Sequence, residues 1–171
     1  MVCLFVALTL HTGIIFFVDT NPSLQLYTTV VTMLNDLFSR FDFLVDTYEL
    51  NKVKTIGDCY MVTSIPVSEL EHDGCARVCR FALDLMKAVR AFNNSGPQHG
   101  QIEMRVGIAC GQVVAGVVGT KRFLFDMWGD AVNVAARMEQ HGLAGQIQTT
   151  KEVVDNAGSD FTFECRGQLG E

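Results

Sequence analysis

Lys52-Val53-Lys54-Thr55-Ile56-Gly57-Asp58-Cys59-Tyr60-Met61 reads as two strands meeting at a tight turn. Lys52 to Ile56 and Cys59 to Thr63 are short runs rich in β-branched and apolar residues, and Gly57-Asp58 between them is a hairpin dipeptide. A carboxylate on such a turn loses little freedom on binding. A hard cation such as magnesium takes carboxylate oxygens together with phosphate oxygens. Asp58 is equally a common turn former, so the stretch alone leaves both readings open.

Working outward, Leu24 to Leu44 has apolar residues at helical spacing (Leu26, Val30, Met33, Leu34, Leu37, Phe38, Phe41), with Asn21-Pro22-Ser23 as a start signal. Cys75 to Phe92 is a second amphipathic helix, with Val78, Cys79, Ala82, Leu85, Met86 and Val89 on its apolar side. Asn93-Asn94-Ser95-Gly96-Pro97 ends it and opens a loop to about Gly100. Glu103 to Ala109 and Val113 to Val118 read as a second hairpin across Cys110-Gly111. Phe123 to Trp128 follows as a strand, and Asp130 to Gln140 as a helix stopped by Gly142. Gln146 to Thr149, a short helix from Lys151, and Phe161 to Cys165 complete the chain. Helices alternating with hairpins predict an α+β fold, a ferredoxin-like βαββαβ sandwich whose sheet is rich in antiparallel pairs.

The 171 residues suffice for one domain with a real core. With 49% hydrophobic residues, 19% charged residues and a net charge of −6, the chain has no basic face of the kind nucleic acids select. Its six cysteines include no C-x-x-C pair and no zinc-ligand spacing, so they read as buried, reduced thiols. Met1 to Val18 has no charged side chain. It lacks the basic start and cleavage site of a signal peptide, which leaves a membrane segment or a buried strand. Residues 1–23 are therefore set apart as a divergent apolar segment, and 24–171 read as one domain.

Two further patterns bear on chemistry. Gly107, Gly111, Gly116 and Gly119 lie in strand-like sequence, where a missing side chain lets a backbone or a ligand approach, and packing is the simpler account. Asn133 and Arg137 are four apart in Asp130-Ala131-Val132-Asn133-Val134-Ala135-Ala136-Arg137-Met138, so a helix projects them from one face. An amide donor beside a guanidinium suits an anionic phosphate transition state, and is also what a solvated surface stripe looks like.

In order, K-T-I-G-D-C-Y-M, R-V-G-I-x-x-G, V-V-A-G-V-V-G and W-G-D-x-V-N-x-A-x-R-M resemble the successive motifs of class III adenylyl and guanylyl cyclase domains. The resemblance extends from about Leu34 to about Gly167 and implies that 24–171 is a cyclase homology domain. It implies conversion of ATP to cyclic AMP and pyrophosphate, by attack of the ribose 3′-hydroxyl on the α-phosphate. Family members hold two metal ions, Mg2+ or Mn2+, on two aspartates, and Asp58 matches the second. Asn133 matches the residue that orients the ribose, and Arg137 the one that stabilises charge at the α-phosphate. Lys54 and Asp126 match the base-reading pair in its ATP-specific form, where guanylyl cyclases carry Glu and Cys. The family shares its site across a dimer, so a homodimer or a heterodimer with another cyclase domain is implied. The implied setting is a cytoplasmic domain, with a membrane-anchored parent as one form.

The ends depart from the family pattern. The first metal aspartate belongs to F-x-D-I-x-G-F-T, but here Leu4-Phe5-Val6-Ala7-Leu8 puts Ala7 at the acidic position. Asp19, after Phe16-Phe17-Val18, is the other candidate and lacks the G-F-T turn. The family lysine of V-K-G is not in the chain, which reads as a fragment. GTP as substrate, or a catalytically inactive dimerisation or regulatory module, are the alternatives.

Overall fold

The computed structural model describes residues 3–11, 24–65, 73–95 and 102–167. Asp19, and residues 1–2 and 12–18 of the apolar segment, lie outside the described residues. Along the chain run β1 (Cys3–His11), α1 (Leu24–Thr47), β2 (Asn51–Ile56), β3 (Cys59–Ser64), α2 (Gly74–Asn94) and β4 (Glu103–Gly111). They are followed by β5 (Val114–Val118), β6 (Leu124–Trp128), α3 (Asp130–Gln140), β7 (Ile147–Thr149) and α4 (Lys151–Asn156).

The first six elements form the expected βαββαβ unit. Its sheet has the order β2-β3-β1-β4, with every neighbour antiparallel, and β7 extends it by pairing parallel to β4. β1 lies centrally, with Thr9 opposite both Cys59 and Arg105. The strand expected from Leu4 to Leu8 is thus present and runs on to His11.

Helical periodicity explains the layer on one face. Met33, Leu37, Phe41 and Val45 recur every four residues along α1 and are buried. All six apolar positions expected to face inward on α2 are buried as well. They pack on Tyr60 and Val62 of β3 and on Met104, Val106 and Ile108 of β4. The alternate residues of the same strands point the other way, as the two-residue period of a strand requires. Met61 and Ala109 join Val53, Met127, Ala131 and Ala135 in a second cluster beneath α3.

The second expected hairpin does not form. β4 is paired on one edge by β1 and on the other by β7, so neither edge is free for β5. The chain leaves the sheet after Gly111, and β5 pairs with β6 instead, from Val114↔Trp128 to Val118↔Leu124. Phe161 to Cys165 is irregular rather than a strand, although Phe161 and Phe163 still pack against the first core. Cys75, Cys79, Cys110 and Cys165 form no disulfide; Cys75 and Cys79 are buried but Cys165 is exposed, contrary to the expectation of uniformly buried thiols.

α3 sits directly on β4 because β4 has a glycine beneath it. A Cβ at Gly107 would overlap the Ala135 carbonyl oxygen and the Glu139 backbone nitrogen. At Gly111 it would come within 2.9 Å of the Ala131 Cβ. The packing reading of these glycines therefore holds for both. An ion pair ties the same two elements, Arg105 Nε donating to Glu139 Oε1 at 2.9 Å, with the Glu139 side chain only 6% exposed.

Gly107→Ala is expected to lower stability by about 1–3 kcal/mol, because neither offending atom belongs to a flexible side chain. Gly116→Ala, whose new methyl meets only Trp128 at 3.8 Å, should stay within about 0.5 kcal/mol of wild type. Urea unfolding of the two variants checks the contrast. Burial pushes the Cys79 thiol up to about 11 and raises Cys75 further still. At pH 8 an alkylating reagent should therefore modify Cys165 in the native protein and reach Cys75 and Cys79 only on unfolding, as read by mass spectrometry.

Candidate active site

Lys54 and Asp126 meet across two sheets. Lys54 Nζ donates to Asp126 Oδ2 at 2.7 Å, with side chains 24% and 14% exposed. The other carboxylate oxygen accepts the Met127 backbone N–H at 2.8 Å, so Asp126 is held from two directions. Lys54, assisted by that amide, keeps the Asp126 carboxyl below the usual carboxylate range, against the opposing effect of burial.

A β-bulge makes this meeting happen. Lys52 opposes Val62 and Lys54 opposes Met61, so Val53 is an extra residue in β2. In a regular strand Lys52 and Lys54 would share a face. Here Lys52 reaches Asp42 of α1 at 2.7 and 2.9 Å, while Lys54 emerges on the opposite face. Val53 and Met127, each next to one of the paired residues, are buried together in the second cluster and hold β2 against β6.

Asn133 and Arg137 are both exposed. The buried positions of α3 are Ala131, Ala135 and Glu139, which face the sheet. At 100° per residue, Asn133 and Arg137 lie on the far side of the helix. Neither makes a hydrogen bond or ion pair to Asp58, Lys54 or Asp126 among the described residues.

Asp58 is half-buried at the turn from β2 to β3, where Gly57 adopts a φ of 60° that glycine takes without strain. The strand that passes beside it, β1, contains no Asp or Glu. Ala7, the position matched to the first metal aspartate, opposes Met61 and Gly107. No group of three His, Cys, Asp or Glu side chains among the described residues could hold a metal ion. A divalent cation wants several oxygen ligands, so Asp58 and its described surroundings do not by themselves fit one.

The candidate residues thus form three separate groups: the Lys54–Asp126 pair, the Asn133/Arg137 helix face, and Asp58 on its turn. The bulge at Val53 and the Met127 amide left no signal in the sequence. The Arg105–Glu139 tie did leave one, since its members sit in R-V-G and R-M-E, beside residues already singled out.

The profile of the adenylate and guanylate cyclase catalytic domain matches residues 10–170. The chain belongs to that family. An adenylate cyclase of Mycobacterium tuberculosis is 43% identical over 141 residues, spanning 82% of this chain and 31% of the relative. A receptor-type guanylate cyclase of Caenorhabditis elegans is 40% identical over 144 residues, 82% of this chain and 11% of the relative. This cyclase domain therefore spans less than a third of the length of either. The crystal structure of the guanylate cyclase domain of RhGC from Catenaria anguillulae, in complex with GTP, aligns with a TM-score of 0.80 and 26% identity, over 94% of this chain and 84% of that one. The α+β cyclase fold follows from that likeness.

A carboxyl lowered by its lysine partner stabilises the fold above the unfolded Asp pKa of about 3.9, and that contribution is lost as pH falls through the lower folded value. A carbon-detected NMR titration should find the Asp126 midpoint below about 3.9, and Lys54→Met should move it upward. An unchanged midpoint in that variant would show that the lysine is not the cause.

Proposed function

We propose that this cyclase domain converts ATP to cyclic AMP and pyrophosphate. The Lys54–Asp126 pair carries the reading. Lysine can only donate and an ionised aspartate only accept, which complements the ring nitrogen and exocyclic amine of adenine. Guanine presents acceptor and donor in the reverse order along the same edge. A mismatched base leaves buried polar groups unpaired, the kind of defect that discriminates strongly.

In the reaction, the ribose 3′-oxygen forms a bond to the α-phosphorus while the bond to the bridging oxygen breaks, pyrophosphate leaves with that oxygen, and the hydroxyl proton passes to solvent water. Asn133 orients the ribose, and Arg137 stabilises the charge that grows on the α-phosphate oxygens. Family members generally use divalent metal ions. Asp58 would supply one carboxylate toward Mg2+ or Mn2+.

The site takes two chains. Asn133 and Arg137 point away from the sheet whose turn bears Asp58, so one copy does not gather them. The hairpin that carries Asp126 also exposes Val114, Val117, Phe123 (78%), Leu124 and Trp128, an apolar surface suited to burial against another subunit. A second copy, or another cyclase domain, supplies the missing half. We assign the domain to the cytoplasm, with a membrane-anchored parent suggested by the receptor-type relative. No helix among the described residues is long and apolar enough to cross a membrane.

GTP as substrate is a second reading, supported by the guanylate cyclase relative and the GTP-bound neighbour. A non-catalytic dimerisation or regulatory module is a third, favoured by the solitary Asp58. Purified protein incubated with ATP or GTP and Mg2+ or Mn2+, analysed for both cyclic nucleotides, separates them. Cyclic AMP in at least about tenfold preference is expected, with Lys54→Glu plus Asp126→Cys shifting preference toward GTP. Arg137→Ala should lower kcat by about 100-fold with little change in KM. Product from neither nucleotide sinks the enzyme reading.

A further inference from the structure

The Arg105–Glu139 ion pair lies under the one helix on which two proposed site residues ride. Glu139 follows Arg137 by two positions, and its carboxylate points the opposite way, into the sheet. Directly beneath, Gly107 brings the backbone of α3 against β4. Close approach alone fixes the height of the helix above the sheet. It leaves rotation about the helix axis to side chains, and on the buried face those are Ala131, Ala135 and Glu139. The two alanines are short, and Val132 and Val134 pack against the cluster from the flanks of the helix. Glu139 is the one fully buried side chain with a directional tie, a 2.9 Å charge-assisted bond from Arg105 Nε.

We propose that Arg105 and Glu139 are positioning residues that set the rotation of α3, and through it the reach of Asn133 and Arg137. The inference rests on the cyclase reading for its effect on turnover, and on the geometry of α3 for its effect on structure. With side chains reaching about 5–6 Å from a helix axis, a rotation of about 20° carries the tip of Arg137 through about 2 Å. A misplacement of about 1 Å at a reacting centre can cost about 100-fold in rate. A buried carboxylate without its partner is also unfavourable, so the pair stays closed.

A double-mutant cycle with a structural readout tests this. Glu139→Gln keeps the shape and removes the charge. It should lower kcat by about tenfold or more while KM stays within about twofold, because ground-state binding leans on Lys54 and Asp126. In an Arg137→Ala background the same change should cost clearly less than in wild type, since part of its effect acts through Arg137 and only the part through Asn133 is left. The swapped pair, Arg105→Glu with Glu139→Arg, should recover part of the lost rate. Amide hydrogen exchange should show weakened protection over Asn133 to Arg137 in Glu139→Gln, with Tyr60 to Val62 unchanged. Equal losses in both backgrounds, or an unaltered kcat in a folded Glu139→Gln, overturn the proposal. A wild-type chain without turnover overturns the cyclase reading instead. Exchange then decides the pair alone, and unchanged protection over α3 overturns it.

Discussion

The contact between α3 and β4 at Gly107 organises this molecule. The backbones of a helix and a strand come together there with no side chain between them. With α3 seated there and Glu139 tied to Arg105, Ala131, Ala135 and Glu139 face the sheet, and Asn133 and Arg137 face out. The second hydrophobic cluster, with Val53, Met61, Ala109 and Met127, closes around the same contact. One face of the helix goes to packing, and the other leaves Asn133 and Arg137 exposed.

The second constraint is the extra residue in β2. Charged side chains on one strand normally alternate strictly between faces. The bulge at Val53 breaks that rule once, so that Lys52 braces α1 through Asp42 while Lys54 meets Asp126. Asp42 also accepts the Tyr60 hydroxyl, and burial together with that bond raises the tyrosine's pKa. Tyr60 lies two residues from Asp58, so the turn is anchored to the first core on one side and to the Lys54–Asp126 pair on the other.

Much of this was legible in the sequence because it depends on local period. The inward faces of α1 and α2, the Gly57-Asp58 turn and the Asn133/Arg137 spacing follow from 3.6- and 2-residue repeats and from turn chemistry. What was not legible depends on partners distant along the chain. The Val113 to Val118 strand has the composition to pair with β4, but whether it does is decided by β7, which takes that edge. The bulge is likewise invisible in the unbroken run Lys52 to Ile56, since it appears only against β3. Asp58 shows the same limit on the functional side. Its motif is complete, yet the strand laid beside it brings no second carboxylate.

The central claim is that one copy of this chain holds halves of a site that meet only across two chains. The direct measurement mixes Asp58→Asn protein with Arg137→Ala protein and assays cyclic nucleotide formation against wild type. Each variant alone should be nearly silent. Random pairing makes half the dimers mixed, each with one intact site, so an equal mixture should recover about a quarter of wild-type activity. A mixture no more active than its separate components would contradict the account.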